Sequence, residues 1–418
     1  MSQTTLTSHR AAPSPPISLT DVMAAPHVTR LLAGTLLGRL PNGMAPAALV
    51  LFVTGSGGGV TFGGLLSALY ILASALSQPV KGFLLDRHGQ TRVSGPAALI
   101  NSASLLILTT VSARSQPVLA TALVALAGAC TPPLEAGLRA LWSKVLPDPG
   151  QRRVALAADT GSQGLLFVVG PVLAAFLASQ HGPGTALAAT AATGITGSLI
   201  VLTSAPSRHW RSPARHPGAR STLHNATLLR LLLALAGVGV ANGAVTVWAV
   251  GMAEQHATAM LIGLIPGAYA AGSLIGGLLY GRRPWPGGTT AHLLAGTAAF
   301  TIAWLPLLTL PGPHLAVALV LLPGLFLPVL ITGAFLTADR IAPAGNLTET
   351  CAWMILALGV GTASGTAVGG ALVAHPLAAA TLPLAGAAAA LAVLATAPPR
   401  PLRGRRDRGF GADSAAPD

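Results

Sequence analysis

The sequence predicts an all-α membrane protein that crosses the bilayer as twelve transmembrane helices in two six-helix pseudo-symmetric halves. Three observations carry this prediction. Of the 418 residues, 52% are hydrophobic and only 8% charged, with a mean hydropathy of +0.66, whereas a soluble domain carries charge at about a quarter of its positions. Twelve stretches bounded by Gly, Pro or charge approach the roughly 20 apolar residues that one crossing requires. Finally, all of the 24 Lys and Arg residues except Arg39 and Arg114 fall in the tails or in every second connecting segment, as expected when positive charge resists translocation and stays in the cytoplasm. The formal net charge of +13 is therefore read as topology, and no nucleic-acid partner is expected. Two cysteines in apolar surroundings, Cys130 and Cys351, exclude a disulfide framework.

Residues 1–28 are rich in Ser, Thr and Pro, lack the apolar core of a signal peptide, and are expected to form a cytoplasmic tail. The N-terminal bundle is placed at 29–205, with helices over 29–53, 61–84, 92–113, 117–139, 153–179 and 184–204. Its cytoplasmic segments hold Arg30; Lys81, Arg87 and Arg92; and Arg139, Lys144, Arg152 and Arg153. A cytoplasmic linker, 206–226, carries Arg208, Arg211, Arg215 and Arg220. The C-terminal bundle, 227–397, is divided into helices over 227–252, 258–280, 290–310, 314–336, 348–373 and 377–396. The tail 398–418 is Pro- and Arg-rich and suits anionic lipid headgroups.

Two internal echoes support the division into halves. Arg30-Leu-Leu with Asn42-Gly43 recurs 200 positions later as Arg230-Leu-Leu with Asn242-Gly243. Gly82-Phe-Leu-Leu-Asp86-Arg87 recurs 195 positions later as Gly277-Leu-Leu-Tyr-Gly281-Arg282. Both echoes keep their place in the helix order, and a duplicated six-helix unit is a recurring transporter plan with the substrate site between the halves.

After the second helix the chain reads Gly82-Phe-Leu-Leu-Asp86-Arg87-His88-Gly89-Gln90-Thr91-Arg92. Gly82 permits close helix approach, Asp86 and Arg87 suit a helix end at the membrane surface, and Gly89 permits a tight turn. This segment resembles the loop signature of the major facilitator superfamily (MFS), with Gln90 and Thr91 where the family usually places basic residues and Gly281 replacing the acidic residue in the second copy. The resemblance implies the MFS fold and a signature that holds the two halves together in the outward-facing state. It makes Gly82, Asp86, Arg87, Gly89, Arg92 and Arg139 gating residues, with Asp86 meeting the start of the eleventh helix and Arg139.

In the fifth helix, Gly161 is followed nine residues later by Gly170-Pro171. This resembles a signature of proton-driven exporters in the superfamily, with Ala174-Ala175 at the closing glycine pair, and adds Gly170 and Pro171 to the gating set. Glycines recur at 263, 267, 272 and 276 in the eighth helix and at 361, 365 and 369 in the eleventh. These spacings make flat faces where the halves would rock, the resemblance pairing the fifth helix with the eighth and the second with the eleventh.

Arg39 lies ten residues into the first helix, about 15 Å deep at 1.5 Å per residue. A cation there costs several kcal/mol unless paired or wetted, so it is a functional candidate by default. Pro41, Asn42 and Gly43 beside it suggest a polar cavity wall. Its candidate partner is Glu135, which follows Cys130-Thr131-Pro132-Pro133 and shares a helical face with Arg139. A structural ion pair and a substrate contact are both open for Arg39, and Glu135 is a candidate proton carrier. Asp159 and Glu349 are weaker candidates for the same proton role, and both sit where acids stabilise helix starts, which favours reading them as caps. Gln163, Asn242 and Trp248 complete the expected substrate and proton pathway, the last two because the resemblance makes the seventh helix a cavity wall.

The expected function is secondary transport in the cell membrane, acting as a monomer by alternating access: proton-coupled efflux of a drug or metabolite. The alternative is proton-coupled uptake of a small polar or anionic solute with Arg39 as counter-charge. A membrane-embedded lipid-modifying enzyme would need paired intramembrane acids at metal-binding spacing or a His/Asp constellation, and the sequence shows neither. No cofactor, metal or nucleotide-binding motif is expected.

Overall fold

In lipid a backbone can satisfy its amides only internally, so apolar runs of this length fold as helices. The computed structural model describes residues 18–211, 225–258, 260–282, 285, 287–342, 345–372 and 375–396, and contains no strand among them. Residues 1–17 of the first expected tail, most of the linker 206–226 and the whole of 398–418 lie outside the described residues, as do Arg10, Arg215, Arg220 and Arg283.

Among the described residues, eleven helices are long and apolar enough to cross a membrane. They are α1 (Val28–Gly55), α2 (Val60–His88), α4 (Pro117–Val145), α5 (Pro149–His181), α6 (Pro183–Leu202), α7 (Ala226–Gln255), α8 (Leu261–Arg282), α9 (Thr289–Thr309), α10 (Pro313–Ile341), α11 (Leu347–Leu372) and α12 (Pro376–Ala395). The twelfth segment, α3 (Gln90–Leu108), is a 19-residue helix that buries Gln90, Ser94, Asn101, Ser102 and Ser104. Its polarity is spent on partners inside the protein, such as Asn101 on the Ala127 carbonyl at 2.7 Å and Ser102 on the Ala191 carbonyl at 3.0 Å.

Proline shapes two of these helices. In α1, Pro41 follows a join at Leu40 between Val28–Arg39 and Pro41–Gly55. In α4, Pro132 and Pro133 offer no amide hydrogen, and the helix stops at Ala129 and restarts at Leu134.

The halves share one packing plan. α1 packs on α5 and α6, and α7 packs correspondingly on α11 and α12. The echoed Gly43 and Gly243 serve this plan: a Cβ on Gly43 would enter the α5 backbone at Leu166, and one on Gly243 the α11 backbone at Thr362. Between halves, α2 packs on α11 and α5 on α8. The flat glycine faces are used differently from the expectation. Gly272 and Gly276 of α8 meet α10 at Leu321 and Leu325, and Gly361 and Gly365 of α11 meet α7 at Ala236 and Val240, all within the second half. The crossings between halves are made by Gly161 against Gly277, Gly164 against Ala270, and Gly82 against Ala352.

The end of the bundle bearing Arg87, Arg152 and Arg282 is called here the basic face. Two folded pieces lie there in stretches expected as tail and linker. A helix, Leu19–Ala24, is opened by a capping box in which Asp21 N–H donates to Ser18 Oγ at 3.1 Å. The Ser18 hydroxyl and amide in turn hold the Asp21 carboxyl below the usual carboxylate range. A short turn of helix, Ala205–Arg208, places Ser207 Oγ on Gln90 Oε1 at 2.8 Å and is followed by the buried Trp210.

Candidate functional site

Three helices of the first half bring four charges together. Arg39 ends the first segment of α1, Glu135 and Arg139 lie one turn apart after the break in α4, and Asp159 is ten residues into α5. Arg39 reaches Glu135 at 2.7 Å and Asp159 at 3.1 Å, while Arg139 reaches Glu135 at 2.8 Å and Asp159 at 3.4 Å. The four form a closed ring of alternating sign and zero net charge. The side chains of Arg39, Arg139 and Asp159 are 0–3% exposed and that of Glu135 is 13% exposed.

The break in α4 is what allows this arrangement. It starts a new helix at Leu134, with Glu135 in the first turn near the positive end of the backbone dipole. The two sides of the ring are unequal. Arg39 donates hydrogen bonds to both carboxylates. Arg139 is within ion-pair distance of both but outside hydrogen-bonding geometry, leaving its Nε and Nη2 and Asp159 Oδ2 without a hydrogen-bond partner. Arg139 instead carries its guanidinium 3.7 Å from the ring centre of Phe335 on α10, a cation–π contact across the halves.

Further contacts close the basic face around this one. Asp86 accepts hydrogen bonds from the Thr348 and Glu349 amides at 3.3 and 2.8 Å, so the α2 carboxylate caps the start of α11. Gly82, one turn earlier, lies where a Cβ would stand 2.6 Å from that of Ala352. Gly89 turns the chain into α3 at φ +88°, a conformation a side chain would strain. Arg152 pairs with Asp339 of α10 at 2.5 Å, and Arg153 lies 5.8 Å from the Tyr280 ring. The crevice left between Arg139, Trp142, Arg152, Phe335 and Asp339 measures about 20 Å³, room for a water molecule and nothing larger.

Away from the basic face the halves part. α5 and α8 touch up to Gly164 and Ala270, whereas a Cβ on Gly267 or Gly370 would meet nothing within 4 Å and one on Gly359 only the Ala75 methyl at 4.0 Å. The contacts between the halves named above thus gather toward the basic face, which leaves the opposite end as the side on which a cleft can open. Asn42 on α1 and Gln163 on α5 are half-buried at this depth, and their side chains make no hydrogen bond among the described residues. Asn242 on α7 accepts a hydrogen bond from Tyr269 of α8 at 2.6 Å. Trp248 is 3% exposed within the apolar core of the second half. Gly170 packs on Gly43 beside Pro171, while Arg87 and Arg92 are exposed at the basic face.

Asp159 is no cap. Asp148 caps α5, accepting from the Gln151 amide at 2.9 Å, and Pro149 takes the first helical position. That Asp-Pro pair is a readable helix start, and with it Asp159 falls three turns inside. Glu349 does lie in the first turn of α11, where its amide is bound by Asp86. Lys81, expected in a surface segment, is buried because α2 continues to His88.

The sequence model of the Major Facilitator Superfamily matches residues 31–350. A relative, the uncharacterised MFS-type transporter y4rN of Sinorhizobium fredii, is 25% identical over 398 residues, covering 91% of this chain and 96% of that protein. Among solved structures, a bacterial homologue of the iron transporter ferroportin in an outward-facing state aligns with a TM-score of 0.69 at 16% identity, over 88% of this chain and 98% of that one. The human organic anion transporter MFSD10 (TETRAN) aligns at 0.65 and 17%, over 88% and 97%. The Escherichia coli fucose:proton symporter aligns at 0.63 and 12%, over 88% and 98%. At these identities the structural likeness is one of fold.

Proposed function

This chain belongs to the Major Facilitator Superfamily and is a secondary transporter, and we propose that it couples efflux of a small drug or metabolite to proton entry, with the ring of four charges as the coupling site. The carrying observation is that ring: two arginines neutralised by two carboxylates at a helix break, tied through Arg139 to Phe335 of the other half. Glu135 is its most exposed member, so a proton entering the cleft meets it first. Protonation removes one negative charge and leaves Arg139 with Asp159 alone, at 3.4 Å and poorly aligned. The arginine held across the halves is thereby loosened, and with it the seal at the basic face. Asp86, Gly82, Gly89 and the Arg152–Asp339 pair act as the remaining gate, while Asn42, Gln163 and Asn242 offer polar contacts to substrate.

The loop charges support placing the basic face and both termini in the cytoplasm of a cell membrane. The tight packing of α5 at Gly161 and Gly170 beside Pro171 supports export through its resemblance to exporters. One chain supplies both walls of the cleft, so the monomer is taken as the working unit. Proton coupling also has precedent in the fold, in the fucose:proton symporter. Iron is not carried over from the ferroportin homologue, since among the described residues no three His, Cys, Asp or Glu side chains are placed to share a metal. A second reading, uptake of an anionic solute, draws on the buried Arg39 Nε, which lacks an acceptor.

Everted vesicles with an acidic lumen test the proposal. Adding members of a drug and metabolite library should collapse the pH gradient for the wild type, and Glu135→Gln should abolish that response while inserting normally. A response retained by the variant removes Glu135 from the coupling.

A further inference from the structure

The break in α4 exposes carbonyls that a continuous helix would have used. Pro132 and Pro133 cannot donate, the Thr131 amide turns back to Gly128 instead of Ala127, and the restarted helix gives the Thr131 carbonyl no bond from the Glu135 amide, leaving the carbonyls of Ala127 and Thr131 to find partners elsewhere. Asn101 takes Ala127 at 2.7 Å. Thr131 is taken by Lys81 of α2, whose Nζ donates at 2.5 Å.

Lys81 is 7% exposed, and this is its one hydrogen bond among the described residues. An ammonium has three donors and needs comparable compensation when buried. No carboxylate supplies it: Glu135 is committed to Arg39 and Arg139, and Asp86 to the α11 amides. The other titratable or charged groups on elements packed against α2 are Arg30 on α1, Arg92 on α3, Cys130 at the break, Lys144 at the end of α4, and Glu349 and Cys351 on α11. Of these, the Cys130 thiol lies close enough to interact with the amine. The only favourable site for the charge is thus the carbonyl end of a half-helix, where a cation is stabilised by the backbone dipole. In transporters with interrupted helices, such carbonyl ends coordinate the coupling ion.

We infer that Lys81 is a second proton-binding site of the transport cycle, charged when its ammonium caps the broken α4 as here and neutral when the break rearranges and that carbonyl is lost. The proton leaves the nitrogen for water in the cleft, and no other bond changes. Lys81 immediately precedes Gly82, which packs on Ala352 of α11, so the site sits where α2 must slide against the other half. The inference rests on the proton-coupled reading but names a group independent of the charge ring.

The test uses the full chain in lipid nanodiscs, spin-labelled at Ser179→Cys near the end of α5 and Met260→Cys just before α8, with Cys130→Ser and Cys351→Ala. Pulsed electron resonance measures the open fraction as pH is raised, with no substrate needed. The wild-type background should lose the open form in an alkaline step. Lys81→Arg, permanently charged, should stay open through that step, and Lys81→Met should sit at the closed, alkaline distribution at every pH. An alkaline step surviving in Lys81→Met, or Lys81→Met fixed in the open form, overturns the inference, and it decides alone if the arginine variant does not fold. Glu135→Gln should remove any acid step and leave the alkaline one, so failure of the charge-ring reading is seen separately.

Discussion

The two halves share a packing plan but bury opposite chemistries. Arg39 of α1 corresponds through the 200-residue echo to Gly239 of α7, where a Cβ would enter the α11 backbone at Leu358. Every buried charge among the described residues, Arg39, Lys81, Arg139 and Asp159, belongs to the first half. Among the described residues of the second half, buried polar side chains are hydroxyls and Asn346; Thr297 and Thr337 bond carbonyls of their own helices, and Thr350 that of Asn346 just before its helix. The cores follow suit. The second half has one continuous apolar cluster with Trp248, Tyr269, Phe300, Trp304 and Phe335, whereas the first half has two. One gathers around Met44 and Leu105 and the other around Leu31 and Trp142, and the charge ring lies between. A dry core moves as a body, while a core divided by titratable groups has a joint whose strength depends on their protonation. On the proposed coupling, switching falls to the first half and the second serves as its rigid reference surface.

Arg39→Leu should break that contrast most severely. It leaves Glu135 and Asp159 facing Arg139 alone, and removing one partner from a buried ion pair costs about 3–5 kcal/mol. A large drop in thermal unfolding temperature in detergent is expected, together with loss of pH-dependent opening. Unchanged stability and pH response would mean that the ring does not hold the first half together.

Tyr269→Phe probes the other side of the comparison and should be milder. It removes the hydroxyl from Asn242 Oδ1 but keeps the ring that lies 5.9 Å from Trp304. Loss of one such bond costs about 1 kcal/mol. Since no charge is involved, the pH dependence of opening should be untouched, and a shifted pH profile would show that the second half also takes part in the switch.

Much of this contrast is readable from residue types, and the parts that are not have physical reasons. Apolar length and alternating basic loops locate twelve helical segments, eleven of them long and apolar enough to cross among the described residues, while the twelfth, α3, carries polar residues that bond inward. Arg39, Glu135 and Arg139 stand out because charge is costly in lipid and the last two share a helical face. Asp159, read first as a cap, and Lys81, read as a surface charge, are placed too shallow for one cause: helices α5 and α2 run about a turn past the cytoplasmic ends that hydropathy gives, so residues near an apparent end are buried. Glycine spacing shows that a flat face exists on α8 and α11 but not which neighbour covers it, because that is decided by three-dimensional order. The Tyr269–Asn242 bond joins residues 27 apart on separate helices, and no local pattern announces it.

The smallest effect is expected at the contact that joins the halves most visibly. Arg152 and Asp339 are 20% and 27% exposed, so water and salt already screen them. Pairs of this kind contribute about 0–1 kcal/mol, and Arg152→Ala should shift the opening equilibrium by no more than about fivefold. The shift should vanish at high salt, whereas that of Arg39→Leu should persist because the ring excludes solvent. Measured by the same spin-label distances at low and high ionic strength, the two variants separate a surface latch from a buried joint. Equal salt sensitivity would place both contacts in solvent and erase the distinction between the halves on which the switching role of the first half depends.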